Sequence, residues 1–124
     1  MADKYVDIDT LKYMLYDVHK LEDLLSRERF VDHDKESLDM FLESTKDFAD
    51  RELFPFIKEM DEKPAYHKDG KVYVHSQVET MMKRGGELGF ISASFDYDIG
   101  GMQIPLMAHT AATYILDAAN NHLP

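Results

Sequence analysis

A long stretch from Asp34 to Met60 repeats its apolar side chains at intervals of three and four residues. These positions are Leu38, Phe41, Leu42, Thr45, Phe48, Ala49, Leu53, Phe56, Ile57 and Met60. The interval is the period of an α-helix, so the side chains line one face of it. A helix of this length needs other segments against that face, which predicts a helical bundle.

The sequence also predicts where this helix begins and where it bends. Asp34 can accept hydrogen bonds from the first free amides, and Glu36 places negative charge in the first turn. Pro55 removes one amide donor and presses its ring against the preceding turn, so we expect a kink there. We expect the other face of the helix to be exposed to solvent. It carries Asp39, Glu43, Lys46, Asp47, Asp50 and Arg51.

The segment before Asp34 predicts a first helix, capped by Asp9 or Thr10 and ending near Phe30. Its apolar positions are Leu11, Met14, Leu15, Val18, Leu21, Leu24 and Leu25. Only a short polar joint, residues 31–35, separates it from the long helix. The two helices are therefore expected to form an antiparallel or steeply crossed pair.

A turn at Lys68–Gly70 followed by Val72–Val74 predicts a small hairpin after the long helix. Ser76 is expected to cap a short helix that ends at Gly85–Gly86 or continues to a left-handed Gly89. We expect the following stretch to be irregular.

The last helix is expected to begin at Ile104 or Pro105 and to run to Ala119. No Lys or Arg follows Arg84, so this apolar quarter of the chain is expected to be covered by another structure. The predicted fold is all-α, a bundle of about four to five helices with a small hairpin insertion.

Charge and composition exclude several classes of function. The chain has 124 residues and a formal charge of −10, which disfavours a broad surface for nucleic acid or anionic membrane. It has no cysteine, so it has neither disulfides nor thiolate metal sites. It has no run of about 18 apolar residues that would span a membrane and no secretory signal pattern. We expect a cytoplasmic protein.

The reactive side chains form no recognisable site. The six histidines show no paired spacing, so no metal site is expected. The carboxylates of the long helix are expected in solvent, where they cannot act as a tuned acid or base. The glycines fit neither a phosphate loop nor a dinucleotide fingerprint. On this chemistry alone the chain does not resemble a complete enzyme.

Several motifs in order resemble a known family. Phe48–Pro55, read FADRELFP, and the acidic Glu59–Lys63 are similar to the N-terminal helical domain of acyl-CoA dehydrogenases. Gly86–Ile91 resembles the family's E-L-G motif, and Gly100–Gly101 lies where its P-E-x-x-G-G motif ends.

Two departures from the family pattern lie near the glycine turn. Asp96–Tyr97 stands where the family usually has Pro-Glu, and Gln103 where glycine is common. Tyr5–Leu25 resembles the N-terminal extension of the longer members.

The resemblance implies an extension in residues 1–33 and an N-terminal helical domain in residues 34–124, incomplete at its C-terminus. The parent enzyme would desaturate an acyl-CoA between the α and β carbons with FAD, while the flavin and the proton-removing glutamate lie in other domains. No catalytic, cofactor-binding or metal residue is therefore expected in this chain, and it would be inactive alone. Tyr114, Ile115 and Ala118 would help to wall the acyl pocket, or simply pack the last helix.

A second hypothesis is a free-standing, acidic, helical module that binds a protein partner through the last helix. In either case we expect the exposed face of that helix to pair with a second copy of the chain, unless the first helix covers it. The face comprises Leu106, Met107, Ala111, Tyr114, Ile115 and Ala118.

Overall fold

The computed structural model describes residues 5–122, and in them it has five α-helices and one two-stranded sheet. The elements are α1 (Ile8–Tyr13), α2 (Lys35–Phe48), α3 (Ile57–Glu62), β1 (Tyr66–Lys68), β2 (Lys71–Tyr73), α4 (Ser76–Glu87) and α5 (Leu106–Ala119). The predicted all-α bundle with a hairpin insertion is confirmed.

The long predicted helix is present but divided. Asp34 caps α2 by accepting a hydrogen bond from the amide of Ser37 at 2.8 Å, and the Ser37 hydroxyl completes a capping box. A π-helical turn follows at Ala49–Leu53, then a 3-10 turn at Phe54–Phe56, and α3 continues the path. The regular α-helix is thus interrupted at Pro55, where the kink is predicted, and its hydrogen bonding already changes at Ala49.

The prediction of one long first helix is wrong. Asp7, not Asp9 or Thr10, caps α1, and a π-helical turn at Met14–Val18 ends this helix. Lys20 then adopts a left-handed conformation, with φ of 54°, and 3-10 turns follow at Leu21–Ser26 and Glu28–Phe30. The break turns the chain towards the start of α2 and buries Leu21 completely, whereas a continuous helix would pass beyond α2.

The N-terminal segment, residues 5–18, runs antiparallel to α2. Three side-chain contacts fix this direction, and they join Tyr5 to Asp50, Lys12 to Glu43 at 2.7 Å, and Tyr16 to Asp39 at 2.8 Å. The predicted antiparallel pairing is thereby confirmed.

These contacts correct the prediction that the polar face of α2 is wholly exposed to solvent. We call Asp39, Glu43, Lys46 and Asp50 the polar stripe, since their spacing places them along one side of the helix. Lys46 is only 8% exposed, and its Nζ lies 3.0 Å from an oxygen of Asp50 and over the ring of Tyr5. Side chains of the N-terminal segment contact this stripe through ion pairs and hydrogen bonds and bury Lys46, whereas Glu43 stays exposed.

The hairpin and α4 form where they were predicted, and only the residue that caps α4 differs. Tyr66 pairs with Tyr73 and Lys68 with Lys71 across a tight turn. His75, not Ser76, caps α4, because its Nδ1 accepts a hydrogen bond from the amide of Gln77 at 3.0 Å. Gly89 is left-handed after α4, as predicted.

A single core joins all of the helices. Helices α2 and α5 form its centre, and α1, the π-helical turns and α4 add side chains around them. Its completely buried large side chains include Leu21, Leu38, Leu42, Leu53, Met60, Met81 and Ile115. Because the N-terminal segment shares this core, the position of α5 depends on it.

Candidate functional site

The glycine turn before α5 sets the position of that helix. An ideal Cβ at Gly101 would lie 2.0 Å from the carbonyl oxygen of Phe95, so only glycine fits there. Gln103 has a φ of 48°, and its side chain donates to the carbonyl of Arg29 at 3.0 Å and accepts from the amide of Tyr97. The amide of Ile104 donates to the carbonyl of Ala93 at 2.9 Å. The entry to α5 is thus fixed on several sides.

The three site residues expected from the family resemblance do not share one face of α5. Tyr114 is 53% exposed and Ala118 is also exposed, and their spacing of four residues places them side by side. Ile115 is completely buried in the core. Tyr114 and Ala118 are therefore accessible on the surface, while Ile115 lies behind them and packs α5 into the core.

The face expected to pair two copies of the chain is also narrower than predicted. Ala111 and Ile115, which were assigned to it, are both buried in the core. Leu106, Tyr114 and Ala118 are exposed, but the polar Thr110 separates Leu106 from the other two. Pairing through this face stays a prediction, now with fewer apolar contacts.

A cleft of about 190 Å³ lies between α4 and α5. Aromatic and aliphatic side chains form most of its wall, and Thr113, His109 and Asp117 contribute polar atoms. The lining comprises Phe48, Met81, Met82, Gly85, Phe90, Ile91, His109, Thr113, Leu116 and Asp117. The cleft thus suits a small apolar group.

His109 in this cleft is already engaged at both ring nitrogens. Its Nε2 lies 3.1 Å from the carbonyl of Phe90, which can only accept, and its Nδ1 lies 2.9 Å from the hydroxyl of Ser94. A neutral ring that donates from Nε2 and accepts at Nδ1 satisfies both contacts. Both ring nitrogens of His109 are thus occupied by contacts within the fold, and neither is free for acid–base chemistry.

The residues around the cleft do not fit FAD. Its volume is below the range of about 300–1,000 Å³ typical of ligand pockets. Its lining has no Lys or Arg to balance a pyrophosphate, and Asp117 adds negative charge. Within residues 5–122, no three His, Asp or Glu side chains gather as a metal site.

A second groove, of about 410 Å³, lies between the N-terminal segment and α5. Val6, Leu11 and Met14 form one side of it, and Tyr114 forms the other. We call it the extension groove. Leu11 and Met14 were predicted as apolar positions of the first helix, and in the structure Leu11 is half-buried and Met14 is 41% exposed. The helical spacing identified the stripe without showing that part of it lines an open groove.

The family model described as acyl-CoA dehydrogenase, N-terminal domain, matches residues 35–122. No curated protein matches the chain. In the part of the chain that the structure describes, no helix has both the length and the apolar character needed to span a membrane.

Proposed function

The chain belongs to the acyl-CoA dehydrogenase family, and from this we propose that it is the N-terminal helical domain of an FAD-dependent enzyme that desaturates acyl-CoA between the α and β carbons. The observation that carries the proposal is the match to the family's N-terminal domain over residues 35–122. In this proposal the flavin and the proton-removing glutamate come from other domains, and the chain is inactive alone.

The role of this domain is to hold the acyl chain. Tyr114 and Ala118 lie side by side on an exposed face in the second half of α5, the helix whose start is fixed by the glycine turn. An aromatic ring beside a small side chain gives an apolar wall with a recess, which suits an uncharged hydrocarbon. Ile115 keeps this wall in place from the core.

The partners in this proposal are the remaining domains of the parent enzyme and its acyl-CoA substrate. The exposed side of α5 is the surface that meets them. A cytoplasmic location and pairing with a second copy of the chain stay predictions.

The first experiment is to read the coding sequence beyond Pro124 and to express the complete product. We expect a β-rich domain after this chain, bound flavin in the complete product, and reduction of an artificial electron acceptor with an acyl-CoA. The 124-residue chain alone should give neither flavin absorbance nor activity.

A stop codon after Pro124, together with no activity, would favour the second hypothesis of an acidic helical interaction module. Stoichiometric flavin on the 124-residue chain would contradict the assignment of the cofactor to other domains. Within the active product, Tyr114→Ala should raise KM for the acyl-CoA more than kcat changes, and Tyr97→Ala, at a similarly exposed tyrosine, should leave KM unchanged.

A further inference from the structure

The N-terminal segment gives the extension groove its outer wall. Val6 in its lining is 5% exposed, and Met14 in the same lining is 41% exposed. Opposite them lies Tyr114, the same side chain that is proposed to wall the acyl pocket. The groove therefore shares Tyr114 with the proposed acyl site.

We propose that the extension groove receives the far end of the acyl chain and that Met14 determines how long a chain it accepts. This inference rests on the proposed function, because it assigns the groove to the same substrate. It gives the N-terminal extension a role in substrate specificity.

The chemistry of the groove fits a hydrocarbon and not the charged part of the substrate. Its lining contains no Lys or Arg, and the polar residues in it are Asp7, Thr10 and His19. Asp7 is anionic, and its carboxylate already accepts hydrogen bonds from the amides of Asp9 and Thr10 at 3.1 Å. A CoA phosphate would be repelled there, whereas the apolar side chains of Leu11 and Met14 attract a methylene chain.

The wall that carries Met14 is held rigidly against α2. Lys12 pairs with Glu43 at 2.7 Å on one side of Met14, and Tyr16 donates to Asp39 at 2.8 Å on the other. Backbone movement at Met14 is thus limited, and the unbranched methionine side chain can still adjust to the end of a ligand. The Met14 side chain therefore limits the length of the bound acyl chain and can adjust its conformation to the end of that chain.

The test uses the complete enzyme that contains this chain and saturated acyl-CoAs from butanoyl to hexadecanoyl. Each buried methylene strengthens binding about fourfold, from the ~0.8 kcal/mol of one CH₂ group. Met14→Trp should lower the ratio of kcat/KM for long over short chains by more than about tenfold, since it excludes about two methylenes. Met14→Ala should raise that ratio.

The matched control is Met40→Trp, the same change at an exposed methionine on α2, which should keep the parent's ratio. Met14→Gln, of similar length but polar, should also lower the ratio and guards against a misfolded tryptophan variant. An active enzyme whose chain-length profile is unchanged in the Met14 variants would overturn the inference while the proposed function stands. An unmodified enzyme that oxidises no acyl-CoA would overturn the proposed function, and this inference with it.

Light scattering on the same proteins tests whether a second copy of the chain, and not an acyl chain, occupies the groove. If Met14→Trp separates subunits and lowers activity equally at every chain length, then a second copy fills the groove and the inference is wrong. An unchanged mass with a shifted profile supports it.

Discussion

Gly101 lies where any side chain would collide with the backbone. Its ideal Cβ would approach the carbonyl oxygen of Phe95 to 2.0 Å, whereas at Gly85 the nearest atom is the Phe48 ring at 3.9 Å. A backbone oxygen can move aside only if the turn itself opens. The cost of a methyl group therefore differs strongly between these two glycines.

We predict that Gly101→Ala lowers the free energy of unfolding by about 3 kcal/mol through overpacking. Gly85→Ala, the same change inside α4, should instead stabilise the chain by up to about 1 kcal/mol, since alanine favours a helix. Urea unfolding of both variants measures the difference. Equal midpoints would mean that the turn is looser than this geometry requires.

Gln103 explains how the chain manages without the glycine that is common in the family at this position. A left-handed conformation costs a non-glycine residue about 1–2 kcal/mol. Its side chain makes two hydrogen bonds, to Arg29 and Tyr97, each worth about 1 kcal/mol. The specific contacts offset the strain, so the departure from the family pattern leaves the turn intact.

The N-terminal segment is attached to α2 by two tyrosine hydroxyls. Burial, and then the hydrogen bond to Asp50, raises the pKa of Tyr5 far above its ordinary value. Burial, and then the hydrogen bond to Asp39, does the same to the pKa of Tyr16. Both contacts need the protonated tyrosine as donor, so alkaline conditions act directly on this segment.

We predict that stability falls as pH rises above about 10, the ordinary tyrosine pKa. In that range the unfolded chain loses these protons while the folded chain keeps them, so unfolding releases protons and is favoured by higher pH. The stabilisation is complete below pH 10 and is lost as pH rises towards the raised values. Urea unfolding at a series of alkaline pH values measures the slope.

Replacing both hydroxyls, in Tyr5→Phe with Tyr16→Phe, should flatten this pH dependence. The matched control is the exposed hairpin pair, Tyr66→Phe with Tyr73→Phe, which should keep the parent's slope. If both double variants behave alike, the tyrosine contacts do not hold the segment.

The periodicity of α2 predicted its buried face well, because apolar side chains report burial directly. Leu38, Leu42 and Phe48 are all buried as expected. The polar stripe was misread because polar side chains that meet polar partners have the same pattern as side chains in water. Lys46 and Asp50 carry no local signal that Tyr5, more than forty positions away, covers them.

The orientation of α5 was harder to predict for a different reason. Small and apolar residues surround much of this helix, so its period identifies the core side poorly. The resemblance indicated Tyr114, Ile115 and Ala118 together, yet only the packing separates the exposed pair from the buried Ile115. Met14 was not identified as a groove residue, because its position depends on the break in the helix at Lys20. No glycine or proline at that point indicates such a break.

At the scale of the whole molecule, the N-terminal segment and the family-matched residues share one core. Val6, Leu15 and Leu21 are buried together with Leu38 and Leu42 of α2. The sequence predicted a division into residues 1–33 and 34–124. That division stays a prediction, and the shared burial indicates that both parts gain stability from each other, since neither covers its apolar side chains alone.

We predict that the chain unfolds in one cooperative transition, with the same midpoint by far-ultraviolet circular dichroism and by tyrosine fluorescence. Deleting residues 1–20 removes Val6, Leu15 and Tyr16 from the core and uncovers Lys46. At about 1.5–3 kcal/mol for each buried apolar side chain, this should cost at least about 3 kcal/mol of unfolding free energy. Two separate transitions, or a deleted chain with the parent's midpoint, would show that the extension is an independent unit, and its tyrosines would then report a different transition from the helices.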